Sequence, residues 1–282
     1  MLRNLIKKAK GFVDRHMDPM LDQRLALVPK DNLNDFGVDP FGFSPEHFKY
    51  AGALAKLIYE RYFRVSVEGI DNIPQGRVML IGNHSGQLPF DAAMVISAVF
   101  LKAPRPRVLR AMIERWVPSL PFVSYLFLRF GQIVGDPDSA RRLLEADEAL
   151  LIFPEGVRGI NKLWPQRYQL AEFTHGFMRL ALETGTPIVP VGIVGAEEQA
   201  PALWDLKPLA KLLGMPAFPI TPTILPFPLP SRYYIQFGEP MFFDGDPDED
   251  SEVLELKVQK VKAAINGLID QGQRRRNGRV FV

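Results

Sequence analysis

Two short segments of this 282-residue chain hold side chains suited to proton transfer and to anion binding. The first runs Gly82-Asn83-His84-Ser85-Gly86-Gln87-Leu88-Pro89-Phe90-Asp91, with six residues between His84 and Asp91. Glycine and proline between them suit a tight return that brings the carboxylate back to the imidazole. An imidazole oriented in this way can take a proton from an alcohol, because its unperturbed pKa of about 6.5 suits neutral pH. The plain alternative makes Asp91 a helix cap and His84 a satisfied loop histidine. The second segment runs Leu151-Ile152-Phe153-Pro154-Glu155-Gly156-Val157-Arg158-Gly159. An arginine on such a loop presents a planar fork suited to phosphate. A turn with a surface salt bridge is its plain alternative.

The elements that must carry these residues follow from periodicity. Val78–Ile81 and Leu150–Phe153 are short apolar, β-branched runs that read as strands, so both segments begin where a strand ends. Asp91 opens a helical run, Asp91–Leu101. In open α/β sheets that carboxyl end of a strand is where ligands bind. Further strands are expected at Val65–Val67, Val108–Met112, Gln132–Val134, Ile188–Val194 and Tyr233–Phe237. Helices are expected at residues 45–63, Ser139–Ala146, Ala171–Thr184 and Glu252–Gln271, the first announced by Ser44-Pro45. This alternation predicts an α/β fold with a mixed, largely parallel sheet flanked by helices and an N-terminal helical extension.

Together the two segments resemble the glycerolipid acyltransferase family, which includes the lysophosphatidic acid acyltransferases. That family's first motif is Asn-His, four residues, then Asp; its third is Phe-Pro-Glu-Gly-Thr-Arg. Phe153–Arg158 matches the third with Val157 in place of threonine, and the spacing from His84 to Asp91 is two residues longer than in the first. Leu128–Asp136, with Gly131 and Ile133, looks like a weakened second motif, and Pro187-Ile188-Val189-Pro190-Val191 looks like the fourth. The resemblance covers roughly residues 65–240. It implies that His84 is the general base on an acceptor hydroxyl and that Asp91 fixes its tautomer. The alkoxide would attack the thioester of acyl-CoA or an acyl carrier protein directly, with no resident cofactor. Glu155, Gly156, Arg158 and Gly131 would stand on the substrate side, and a lysophospholipid or glycerol-type molecule, lysophosphatidic acid first, would be the acceptor.

Composition narrows the alternatives. The chain is 47% hydrophobic and 23% charged, with 22 glycines and 25 prolines, which fits a folded protein and excludes low-complexity or fibrous classes. It has no cysteine, so disulfides, thiolate metal sites and a thiol acyl-enzyme are excluded. Its four histidines show no paired ligand spacing, and no metal is expected. A serine hydrolase or transacylase would use Ser85, yet Gly82-Asn83-His84-Ser85-Gly86 places serine one position late for a nucleophile elbow. The remaining alternative is a non-catalytic lipid-binding protein on the same scaffold.

The net charge of +2 argues against a nucleic-acid partner but hides two basic ends. Residues 1–16 and 271–282 carry +4 each, leaving −6 on the body. On a helix, Leu2, Leu5, Ile6 and Phe12 share an apolar arc opposite Lys7 and Lys8, a pattern that lies in the interface of an anionic bilayer. The lysines also interrupt the apolar run that a signal peptide requires. Leu212–Ser231 is uncharged but holds six prolines, so an extended apolar loop is expected there and no spanning helix. The expected organisation is an amphipathic helix and connection at residues 1–43, an acyltransferase domain at 44–272 and a basic tail at 273–282. The expected location is the cytoplasmic face of a membrane, peripheral or monotopic.

Overall fold

A computed structural model describes residues 19–29, 32–86, 89–114, 123–206, 219–221 and 227–281. The N-terminal arc Leu2, Leu5, Ile6, Lys7, Lys8 and Phe12 lies outside the described residues, as does most of Leu212–Ser231. The helices are α1 (Pro19–Ala26), α2 (Pro45–Leu57), α3 (Phe90–Lys102), α4 (Val123–Arg129), α5 (Pro137–Glu145), α6 (Val157–Ile160), α7 (Gly176–Thr184), α8 (Ala196–Gln199) and α9 (Ser251–Arg276). The strands are β1 (Ser66–Glu68), β2 (Val78–Gly82), β3 (Leu109–Ile113), β4 (Ile133–Val134), β5 (Ala149–Ile152), β6 (Ile188–Val194), β7 (Trp204–Asp205), β8 (Pro219–Ile220) and β9 (Tyr234–Phe237).

Seven strands form one sheet in the order β1-β9-β6-β2-β5-β3-β4. From β6 to β4 every neighbouring pair is parallel; β9 runs antiparallel to β6 and takes β1 with it. The expected mixed, largely parallel α/β sheet is therefore the observed one. Every residue of the two central strands β2 and β6 is buried. Their alternation explains why: Val78 and Leu80 enter one apolar layer while Met79 and Ile81 enter the other. The first layer joins the sheet to α1, α2 and α3. The second is closed by α5, α7 and α9, the last through Leu254, Val258, Val261, Ile265 and Ile269. No helix among the described residues is long and apolar enough to cross a membrane.

Three sequence expectations change. Residues 19–43 are not a separate connection: Leu21 and Leu25 sit in the core, Arg24 Nε donates to the Phe100 carbonyl at 2.5 Å, and Asp39 accepts from Arg110 at 2.5 Å. The helix expected from Ala171 begins at Gly176, because the Ala171 and Thr174 amides donate to Glu155 and to the Pro154 carbonyl. The start of the expected basic tail, residues 273–276, is helix, since α9 continues through Arg276. Arg275 pairs with Glu68 and Arg276 with Glu198, which fixes charges expected to be solvated or membrane-facing.

Candidate active site

The site starts where β2 ends. Asn83 is buried and exchanges two hydrogen bonds with the backbone of Ile193 in β6, donating to its carbonyl at 3.0 Å and accepting from its amide at 2.8 Å. The side chain thus continues the β2–β6 ladder by one rung and frees the main chain to turn away at His84. Asp91, in the first turn of α3, is fully buried. Its Oδ2 lies 2.6 Å from His84 Nδ1 and accepts from the Ser85 amide at 3.0 Å; its Oδ1 accepts from the Ala92 amide at 2.7 Å. The longer spacing therefore does not part the histidine from its carboxylate.

This arrangement fixes the imidazole. With Asp91 as acceptor, Nδ1 carries the proton and Nε2 keeps its lone pair, an assignment that follows from the hydrogen bond. Among the described residues Nε2 has no hydrogen-bond partner. Phe153 stacks on the ring at 4.3 Å between centroids and 8° between planes. The His84 side chain is 16% exposed while that of Asp91 is closed off.

The second segment meets the first at β5. Gly156 turns the chain there with φ 54°. Gly159 must remain a glycine, because an added Cβ would stand 2.7 Å from the His84 Cβ. Arg158 points outward and pairs with Glu172 at 2.8 Å, the two side chains being 60% and 85% exposed. Such a pair contributes about 0–1 kcal/mol, so a phosphate can displace Glu172 at small cost. Glu155 turns the other way, against its expected substrate-side position. It is buried, with Oε1 accepting from the His84 amide at 2.9 Å and Oε2 engaged by Ala171 and Lys162. Both oxygens are engaged by the protein, and one of them holds the His84 backbone.

Gly131 turns the chain after α4 with φ 86°. It is buried, and an added Cβ would lie 3.0 Å from both Arg110 Nη1 and Val108 Cγ1, so it packs against the interior face of β3. Ser85, the alternative nucleophile, is buried, and its hydroxyl has no hydrogen-bond partner among the described residues. His84 is therefore not placed to activate it. The residues that sequence reasoning missed are Phe153, whose ring is the face against the imidazole, and Lys162. Phe153 stood inside the quoted motif; Lys162 carried no local signal.

Behind this site lies a closed polar centre following β6. Glu198 accepts from Tyr168 Oη at 2.5 Å and from Arg276. Burial first, and Glu198 second, push the Tyr168 phenol well above its ordinary pKa, so it remains the donor. Glu197 accepts from the Tyr168 amide at 3.2 Å. Burial raises its carboxyl from 4.5 to about 7, against the lowering effect of Lys162.

A family model described as Acyltransferase matches residues 64–194. Uncharacterized proteins of Mycobacterium leprae and Mycobacterium tuberculosis are 42% and 40% identical over 240 residues, covering 80% of this chain. The chain spans 65% and 66% of their lengths. A Bos taurus protein named DGAT1/2-independent enzyme synthesizing storage lipids is 27% identical over 74% of this chain and 60% of its own length. A Mycoplasma pneumoniae protein named probable 1-acyl-sn-glycerol-3-phosphate acyltransferase is 26% identical over 56% of this chain and 60% of its own. The fold is shared with the crystal structure of the 1-acyl-sn-glycerophosphate (LPA) acyltransferase PlsC from Thermotoga maritima, with a TM-score of 0.53 at 19% identity over 79% of this chain and 80% of that one. Residues 64–194, the stretch that the Acyltransferase family model matches, hold both segments of the site.

Proposed function

We propose that this protein is an O-acyltransferase that moves a fatty acyl group from a thioester, acyl-CoA or acyl carrier protein, to the hydroxyl of a lysophospholipid or glycerol-type acceptor. The observation that carries this reading is the 2.6 Å contact of His84 Nδ1 with buried Asp91, which leaves Nε2 its lone pair and no hydrogen-bond partner among the described residues. Nε2 takes the acceptor's hydroxyl proton as its oxygen attacks the thioester carbon. The carbon–oxygen ester bond forms, the carbon–sulfur bond breaks, and the imidazolium returns the proton to the departing thiolate. Asp91 stabilises the imidazolium between the two steps. Arg158 supplies a displaceable cation for a phosphate on the acceptor, which favours lysophosphatidic acid.

The names of the Mycoplasma and Bos taurus relatives frame the acceptor question, since one points to a phosphate-bearing acceptor and the other to storage lipid. A mass-spectrometric screen with one acyl-CoA and one acyl carrier protein thioester resolves it. Lysophosphatidic acid, other lysophospholipids and monoacylglycerol are offered to wild type and His84→Ala. General-base catalysis contributes about 10²- to 10⁴-fold, and the variant is expected to lose turnover on that scale. Near wild-type turnover by His84→Ala shows that the base is assigned wrongly.

The acceptor dissolves in a bilayer, so the apolar arc of Leu2, Leu5, Ile6 and Phe12, with Lys7 and Lys8 opposite, is read as the membrane contact on an anionic surface. Removal of residues 1–16 is expected to weaken co-sedimentation with anionic vesicles. Unchanged co-sedimentation refutes that contact.

A further inference from the structure

We infer that Lys162 is a positioning residue for the His84 base, acting with Glu155 as a clasp that closes on the His84 backbone from both ends. The inference rests on the reading of His84 as the base. Lys162 Nζ lies 2.7 Å from Glu155 Oε2 and donates to the His84 carbonyl at 3.3 Å, while Glu155 Oε1 accepts from the His84 amide at 2.9 Å. The amide and the carbonyl of one residue are thus tied to the two halves of a single ion pair. The pair is closed to water, with 6% of the lysine side chain and none of the glutamate exposed.

The remaining contacts on His84 show what the clasp adds. Asp91 and Phe153 fix the ring, and the absence of a side chain at Gly159 lets α6 approach the His84 Cβ. Asp91 also accepts from the Ser85 amide at 3.0 Å, which holds the N–H edge of the peptide unit that follows His84, and leaves its carbonyl oxygen to be restrained separately. His84 is the point at which β2 gives way to the loop, so its backbone angles decide where Nε2 is aimed. Lys162 supplies that restraint from a turn anchored by the Trp164 amide on the Ala202 carbonyl at 2.8 Å. A compact ammonium can serve a carboxylate and a carbonyl together, and a methionine of similar length can serve neither.

Removing Lys162 leaves a buried carboxylate without its cation and the His84 carbonyl without this donor. A displacement of about 1 Å in a reacting group costs on the order of 10²-fold. In the full chain, Lys162→Met is therefore expected to lower kcat about 100-fold with KM for donor and acceptor changed less than about threefold. Nitrogen NMR of the histidine rings, with the His84 signal assigned through His84→Ala, reads position directly. The wild-type Nδ1–H tautomer is expected to give way to a broadened or mixed signal, while the His47 and His175 signals stay in place.

The double variant Glu155→Gln/Lys162→Met leaves no charge of the pair unmatched and protects the test against simple misfolding. Its turnover is expected to remain as low as that of the single variant. Wild-type kcat with an unchanged His84 ring signal, in either variant, overturns the clasp. An inactive His84→Ala beside a fully active Lys162→Met rejects the clasp alone, whereas an active His84→Ala rejects the base assignment.

Discussion

Two polar centres follow neighbouring parallel strands, and they do opposite things with their carboxylates. After β2, Asp91 meets an imidazole whose far nitrogen has no hydrogen-bond partner among the described residues. After β6, buried Glu197 and Glu198 meet the backbone and a phenol and an arginine that are themselves partly buried. Both occupy the carboxyl edge of the sheet where α/β folds place ligands. Position at that edge therefore does not make a site; in the proposed reading, an acid whose partner keeps one unbonded atom does. The closed centre has a different balance. Lys162 and Arg276 oppose Glu155, Glu197 and Glu198, so one carboxyl is in excess, and burial pushes Glu197 to about 7.

The difference breaks most visibly at Glu197. A carboxyl whose folded pKa is raised binds a proton in the native state that the unfolded chain has released. Stability then falls as pH rises from about 4.5 to about 7 and is flat on either side. The shift corresponds to about 3 kcal/mol of cost above pH 7. Glu197→Gln keeps an acceptor for the Tyr168 amide and cannot ionise. It is expected to match wild type below pH 4.5 and to gain stability, up to about 3 kcal/mol, at pH 8. Turnover at pH 8 should stay within about threefold of wild type. Thermal unfolding of both proteins across this range decides the matter. A gap that does not change with pH means that Glu197 is not the buried excess acid.

The two centres also differ in how far the sequence reveals them. His84, Asp91 and Phe153–Arg158 were legible because their chemistry depends on short spacings at strand ends. The central strands were legible from unbroken apolar runs, and α9 from its stripe of Leu254, Val258, Val261, Ile265 and Ile269. Lys162 was not, because the histidine it holds lies 78 residues away in sequence. Arg276 is likewise 78 residues from Glu198 and looked like one of several cations in a basic tail. Arg110 lies in a buried strand, where Asp39 and the rings of Phe41 and Phe43 receive its charge. Neither partner segment carries a periodic pattern. Glu155 was found as a residue and given the wrong partner: the motif shows a carboxylate, and only the packing of α6 against His84 shows which way it faces. Long-range pairing of charges decides burial in all four cases, and no local pattern encodes it.

Arg158 offers the smallest change and the finest distinction. Its pair with Glu172 is exposed on both sides, so its loss is expected to move thermal stability by less than about 1 kcal/mol. Its contribution appears only when an anion replaces Glu172. A phosphate accepts two hydrogen bonds from the guanidinium fork, where a neutral glyceride has no matching charge. Arg158→Ala is therefore expected to raise KM for lysophosphatidic acid about tenfold, or roughly 1.4 kcal/mol, and to leave KM for monoacylglycerol unchanged. An equal effect on both acceptors places Arg158 away from the phosphate, on the donor or on the loop itself. Glu197 is thus expected to alter stability and spare turnover, and Arg158 to alter acceptor choice and spare stability. Effects crossing over between the two would show that the closed and open centres are one coupled system.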